Sequence, residues 1–158
     1  QRQMCIRDSS IHIPMIISGP GIPKDKKSEA LVYTADLYPT LCDLVGVEIP
    51  ETVVGLSLMP TIDGSSDGPR DYMYFAYKDL MRSVYFEDYK LIEYNVYGNR
   101  RTQLFNIKSD PLETLNLAHK EEFELVLKRL RGKMIEGKTE YSDNLPPFNR
   151  FWDGVNFE

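Results

Sequence analysis
Cysteine is nearly missing from this chain. Cys5 and Cys42 are the only two in 158 residues, and histidine is as scarce, at His12 and His119. Neither histidine sits in a cysteine or aspartate cluster with zinc-ligand spacing, so a structural role is expected for both. No apolar run approaches the length of a membrane span, so no membrane partner is expected. A basic run is also missing, and the net charge of −5 argues against nucleic acid as the main partner. No signal peptide is visible. Internal repeats are missing as well. What is present, 42% hydrophobic and 11% aromatic residues, suits a globular core.

Gln1–Ser9 fits no structural period and does not begin with methionine. It resembles a string that arises when sequencing-adaptor DNA is translated within assembled reads. These nine residues are set aside from fold reasoning as a non-native segment. That leaves Cys42, read as a small buried hydrophobe, and no internal disulfide is expected.

Ile11–Ser18 is an apolar run without polar alternation, closed by Gly19-Pro20-Gly21. Such a run predicts a strand buried on both faces, with Pro14 at its start. Its glycine-proline turn lacks the spacing and the Lys-Ser/Thr of a phosphate-binding loop, so turn chemistry is the reading. Ala30–Tyr33 is a second candidate strand. Thr34–Gly46 predicts a helix: Thr34 or Asp36 can cap it, Pro39 is tolerated in the first turn, and Gly46 ends it. Leu37, Leu41, Leu44 and Val45 form the stripe expected to face a core. Asp36 reads as a cap rather than a metal ligand.

Pro50–Gly64 is a loop with one short helical or extended piece, where Leu56, Leu58 and Met59 are expected to plug a groove. Ser65–Pro69 is the candidate boundary, dividing the chain into 10–66 and 67–158. Tyr72–Tyr77, Arg82–Phe86, Tyr89–Tyr94 and Gln103–Ile107 predict a four-stranded antiparallel meander with one wet face. The reversals fall at Glu87-Asp88 and over Val96–Thr102, with Gly98-Asn99 in the second. Leu104 and Phe105 should fill opposite faces, and Ser109-Asp110-Pro111 stops the last strand. Asn116 is available to cap the next helix. Lys120–Glu136 carries Phe123, Val126, Leu127, Leu130 and Met134 at helical spacing, a core stripe, with Gly132 and Gly137 weakening or ending the helix. The tail Asn144–Glu158 is too aromatic for disorder and is expected to wrap across a surface.

Four runs in order resemble the type I sulfatases of the alkaline-phosphatase-like superfamily. I-P-M-I-I-S-G-P-G-I resembles "V-P-L-I-I-x-G-P-G-I", and A-D-L-Y-P-T-L-C-D-L-V-G resembles "D-L-x-P-T-L-L-D-L-A-G". M-R-S-V-Y-F-E-D-Y-K-L-I is similar to "R-x-V-R-T-x-x-Y-K-L-I". L-F-N-I-K-S-D-P-L-E-T-L-N-L is similar to "L-Y/F-D/N-L-x-x-D-P-x-E-x-x-N-L". G-L-S-L-M-P also resembles the family's "G-x-S-L-x-P". The nearest flavour is the arylsulfatase or N-sulfoglucosamine sulfohydrolase group acting on sulfated glycans.

The resemblance implies a mixed α/β fold: the last strand and helix of an alkaline-phosphatase-like domain, then a small four-stranded antiparallel sheet covered by a C-terminal helix. It implies a parent enzyme that hydrolyses sulfate esters or sulfamates with a formylglycine nucleophile and a Ca²⁺ ion. Formylglycine is made from a C/S-x-P/A-x-R motif, which neither Cys5 nor Cys42 provides. Nucleophile and metal ligands are therefore expected in a catalytic domain upstream of Ile11, the implied partner of these residues. The chain alone is expected to be inactive. The resemblance implies a periplasmic or secreted parent. Lys78 and Arg82 are the candidate substrate-binding residues, able to meet the acidic groups of a sulfated sugar. The bland reading makes both surface residues or partners of Glu87 and Asp88. Two rival functions stay open: a phosphonate monoester hydrolase or phosphodiesterase of the same superfamily, and a stand-alone, non-catalytic binding module.

Overall fold
The computed structural model describes residues 11–157. Its contacts gather into two units, one of Tyr72–Glu158 with the stretch up to Ile13, the other of Pro14–Asp71.

The larger unit is a meander. β1 (Tyr72–Tyr77), β2 (Met81–Phe86), β3 (Tyr89–Val96) and β4 (Asn99–Asn106) lie side by side in chain order, each antiparallel to the next. Aromatic and β-branched residues favour the pleat, and the turns fit the strands tightly. Tyr97 and Gly98 both take positive φ, 52° and 84°, the pair of left-handed residues a two-residue hairpin needs. Glu87, in a turn without glycine, enters the same region at 53°.

Alternation then sorts the side chains. Tyr72, Tyr74, Val84, Leu91 and Leu104 face a core completed by Leu117, Leu130 and Met134. Leu130 and Met134 lie on α3 (Glu124–Glu140), which a 3-10 turn at Glu121–Phe123 introduces. Phe123, Val126 and Leu127 pack against the same cluster, so the whole predicted stripe meets the sheet. Burying each such side chain stabilises by about 1.5–3 kcal/mol.

The opposite face was expected to be wet. It instead carries its own cluster of Met81, Ile92, Tyr94 and Phe105, joined by Ile11, Phe75, Tyr77, Leu80 and Ile107. Phe105 and Leu104 do fill opposite faces, as their adjacency requires.

Neither helix glycine ends α3. At Gly137 the helix presses on β1: an added Cβ would lie 2.5 Å from the Tyr74 ring. At Gly132 nothing stands within 4 Å. The two positions should therefore answer alanine with opposite signs. Gly132→Ala is expected to stabilise by about 0.5–1 kcal/mol through helix propensity. Gly137→Ala is expected to destabilise by about 1–3 kcal/mol through overpacking, despite the same propensity gain. Urea midpoints read by the fluorescence of Trp152, the only tryptophan, check both.

The smaller unit has little regular structure. A 3-10 turn at Thr34–Asp36 runs into α1 (Leu37–Val45), which Gly46 closes in the left-handed region at φ 71°. α2 (Met59–Asp63) is a single short helix. Two expectations fail here. Ile11–Ser18 and Ala30–Tyr33 form no strand, because no strand of the described residues runs beside them to accept their backbone hydrogen bonds. Most of the first stretch is exposed, Ile16 to 94%. The α1 stripe is also not covered within this unit: Leu41 and Val45 are exposed, and the buried residues are Pro39, Thr40 and Cys42. Leu58 is buried, while Leu56 is largely exposed.

Candidate functional site
The turns β1–β2 and β3–β4 lie at the same end of the meander, since successive strands reverse. They are tied together where the Asn95 N–H donates to the Leu80 carbonyl at 2.8 Å. Lys78 stands in the first of these turns, exposed and at φ 48°, its Nζ 5.6 Å from the centre of the Tyr77 ring.

Arg82 points the other way from what a substrate ligand needs. It is fully buried on the helix-facing side of β2. Its Nε donates to Asp143 Oδ2, and Nη2 donates to Asp143 Oδ1 at 2.8 Å and to the Phe148 carbonyl at 3.0 Å. Nη1 donates to the carbonyls of Lys78 at 2.5 Å and Met81 at 2.8 Å. A guanidinium has five N–H donors, and all five are engaged. The guanidinium also lies 4.6 Å from the centre of the Phe151 ring. Arg82 therefore has no donor left for a sulfate oxygen, and its partner is Asp143 rather than Glu87 or Asp88. What it does is hold the carbonyl of Lys78, and so the turn that presents Lys78.

Asp143 is the hub beneath that turn. Besides Arg82 it accepts from the Tyr74 hydroxyl at 2.5 Å and from Trp152 Nε1 at 3.0 Å. Burial, with the hydrogen bond to Asp143, pushes the Tyr74 hydroxyl far up, so it stays a donor. The aromatic tail thus wraps across the sheet of its own unit. A 3-10 turn at Asn149–Trp152 seats Phe151, which is fully buried. Arg100 on β4 donates to the carbonyls of Phe151 and Asp153, at 3.0 and 2.6 Å.

Between these parts lies an open depression of about 580 Å³, lined among others by Lys78, Asp79, Asn95, Tyr97, Arg100 and Arg150. Of these, sequence reasoning singled out Lys78 alone. Tyr97 could have been found: the residue before Gly98-Asn99 must occupy the hairpin tip. Arg150 could not, because only the tail's path brings it there.

The run Gln103–Leu117 is structural throughout. Asp110 holds the turn after β4, accepting from the Thr114 and Leu115 N–H groups at 2.8 and 2.9 Å. Glu113, at φ 54°, reaches Lys90 on β3 in a buried ion pair of 2.6 Å. Asn116 caps no helix. Its amide accepts from the Leu104 N–H at 2.9 Å and donates to the Thr102 carbonyl at 3.2 Å. That is the pattern a neighbouring strand would supply, and with Leu117 N–H on the Leu104 carbonyl at 2.8 Å it blunts the open edge of β4.

In the smaller unit Asp36 is also a hub, not the forward cap of α1. Its carboxylate accepts from the N–H groups of Tyr33 at 2.7 Å and Leu56 at 2.9 Å. It also pairs bidentately with Arg70, at 2.5 and 2.9 Å. Burial pushes this carboxyl up, but the hydrogen bonds from Arg70, Leu56 and Tyr33 outweigh it and hold Asp36 below its ordinary value of 3.8.

Among the described residues, no three His, Cys, Asp or Glu side chains converge on a point where a metal ion could sit. These residues do not fit a calcium site. His12 and His119 are both exposed. No helix of the described residues is long and apolar enough to cross a membrane.

Residues 2–140 match the family described as N-sulphoglucosamine sulphohydrolase, C-terminal. The chain belongs to this family, among the sulfatases of the alkaline-phosphatase-like superfamily. It is 33% identical over 145 residues to arylsulfatase K of Xenopus laevis, covering 82% of this chain and 27% of that protein. It is 32% identical over 150 residues to a delta 4,5-hexuronate-2-O-sulfatase of Bacteroides thetaiotaomicron, covering 87% of this chain and 30% of that one. Among solved structures, a 2-O GAG sulfatase superposes with a TM-score of 0.67 at 32% identity, over 80% of this chain and 29% of that one. A phosphonate monoester hydrolase of Agrobacterium radiobacter shares the fold, with a TM-score of 0.54 at 21% identity, over 74% of this chain and 26% of that one. The chain thus spans about three-tenths of the length of the curated relatives it matches.

Proposed function
We propose that these residues are the C-terminal part of a sulfatase that hydrolyses sulfate esters or sulfamates of sulfated glycans. The observation that carries this is the family match over residues 2–140. The relatives named as glycan sulfatases support the substrate class, among them an N-acetylglucosamine-6-O-sulfatase of Bacteroides thetaiotaomicron, 30% identical over 147 residues. So does a similar structure solved with D-glucosamine-2-N,6-O-disulfate, at 27% identity and a TM-score of 0.59.

In this reading the formylglycine nucleophile and the Ca²⁺ ion belong to a catalytic domain preceding Ile11, in a periplasmic or secreted protein. That domain also supplies what the exposed apolar residues of the smaller unit need, a sheet for Met15 and Ile16 to join and a cover for Leu41 and Val45. The larger unit contributes Lys78, on a turn held by Arg82, as the group that meets an acid substituent of the sugar.

The experiment is inorganic sulfate release from sulfated glycosaminoglycan oligosaccharides, with two proteins in parallel. The protein translated from the complete reading frame is expected to release sulfate, and the 158-residue chain alone is expected to release none. Release by the chain alone, or a complete protein that cleaves phosphonate monoesters and no sulfate ester, contradicts the reading.

A further inference from the structure
The depression at the turn end of the sheet gathers cations, carboxylates and an exposed tyrosine. Tyr97 is 95% exposed and sits at φ 52°. Lys78, on the neighbouring turn, is also left-handed at 48°. A bulky residue in that region costs on the order of 1 kcal/mol. Both strained residues line the same depression. Asn95 adds a second kind of feature. Its Nδ2 is directed at the Arg150 and Phe151 carbonyls, at 3.4 and 3.3 Å. Its Oδ1 is buried and accepts no hydrogen bond. Lys78, Arg100 and Arg150 supply three cations, and Asp79 and Asp153 two carboxylates. Arg100 spends only Nη2 on the tail carbonyls, leaving its other N–H groups for a ligand.

We infer that this depression binds an acidic sugar of the glycan chain, a subsite in which Tyr97 is the platform for the sugar ring. Arg150, Arg100 and Lys78 take its sulfate or carboxylate groups. The inference rests on the glycan-sulfatase reading and goes beyond it by naming the residues that hold the chain. The mixture itself selects the ligand. A platform for a ring face, carboxylates for hydroxyls, and guanidinium groups for acid substituents match a sulfated saccharide. Nucleic acid would demand a more uniformly positive surface, and three cations offset by two carboxylates on a chain of net charge −5 do not provide it.

The test is equilibrium binding of a heparin-derived tetrasaccharide to the immobilised 158-residue chain at about 0.15 M salt, where surface charge is screened beyond roughly 8 Å. The wild-type chain is expected to bind it, and to bind the desulfated tetrasaccharide about tenfold more weakly, as are Tyr97→Ala and Arg150→Ala with the sulfated ligand. Both side chains belong to exposed residues, so both variants should fold, and unchanged Trp152 fluorescence confirms it. No binding, or binding that Tyr97→Ala leaves unchanged, overturns the inference. So does single-stranded DNA binding as tightly as the sulfated sugar. The readout requires no sulfate release. A complete enzyme that desulfates glycans beside a chain that fails this test refutes the subsite alone. A complete enzyme without sulfatase activity refutes the reading beneath it.

Discussion

Replacing Arg82 with alanine is expected to destabilise the larger unit by about 3–5 kcal/mol, because it leaves a largely buried carboxylate without its cation. Asp143 is then surrounded by the Tyr74 hydroxyl and the Trp152 N–H, which can solvate it only in part. The carbonyls of Lys78, Met81 and Phe148 lose a donor at the same time. Arg82→Lys should rescue little. An ammonium has three donors on a point charge and cannot make the planar fork to Asp143 or stack on Phe151. Trp152 reports the change directly, since its Nε1 sits on Asp143. Urea titration of its fluorescence should show a large fall in midpoint for both variants. An unfolding free energy within about 0.5 kcal/mol of wild type, the range of an ordinary surface change, would mean that Arg82 is not the buried keystone described.

Asp36→Ala is expected to cost about as much in the smaller unit, roughly 3–5 kcal/mol. Arg70 would be left nearly buried without a counter-charge, and the Tyr33 and Leu56 N–H groups would lose their acceptor. The same pair makes a pH prediction. The folded-state value of Asp36 lies below its unfolded one. Its stabilising contribution is therefore fully present above about pH 4 and is lost as the pH falls through the lower folded value. Amide exchange at Tyr33 and Leu56 should show protection that this group leaves level from neutrality down to about pH 4 and reduces below it. Asp36→Asn should lack that acid limb. An acid limb that persists unchanged in Asp36→Asn assigns it to another group.

These two hubs also show where reading from sequence stops. The strands were legible because Tyr72–Tyr77 and its successors are aromatic and β-branched runs set apart by turn residues, information that is entirely local. The stripe of α3 was legible for the same reason. Arg82 was not, since its counter-charge stands 61 residues away on the chain and nothing in either neighbourhood announces the other. Ile11–Ser18 and the Leu41–Val45 face were read as buried from their apolarity. Apolarity says that a surface wants cover, not which residues supply it, and within the smaller unit none do. Asn116 illustrates a subtler limit. A short amide before a helix looks like a cap, and only the position of β4 turns the same amide into a substitute for a neighbouring strand. The expected wet face failed because Ile11 and Ile107, outside the strands, help to close it. As for the site, Lys78 was found, while Asn95, Tyr97, Arg100 and Arg150 meet it only because a hairpin tip and a wrapped tail converge.

The most direct test of the account is to sequence the source locus across the codon of Ser9 and read the frame upstream. The account predicts a continuous frame into a domain carrying a C/S-x-P/A-x-R motif and an Asp/Asn/His set able to hold calcium. It also predicts that a sheet-forming segment there completes the pairing that Ile11–Ser18 lacks. A frame that begins at Gln1, or one that continues into a domain with neither motif nor ligand set, would contradict it and leave a free-standing module of the sulfatase family without the reaction.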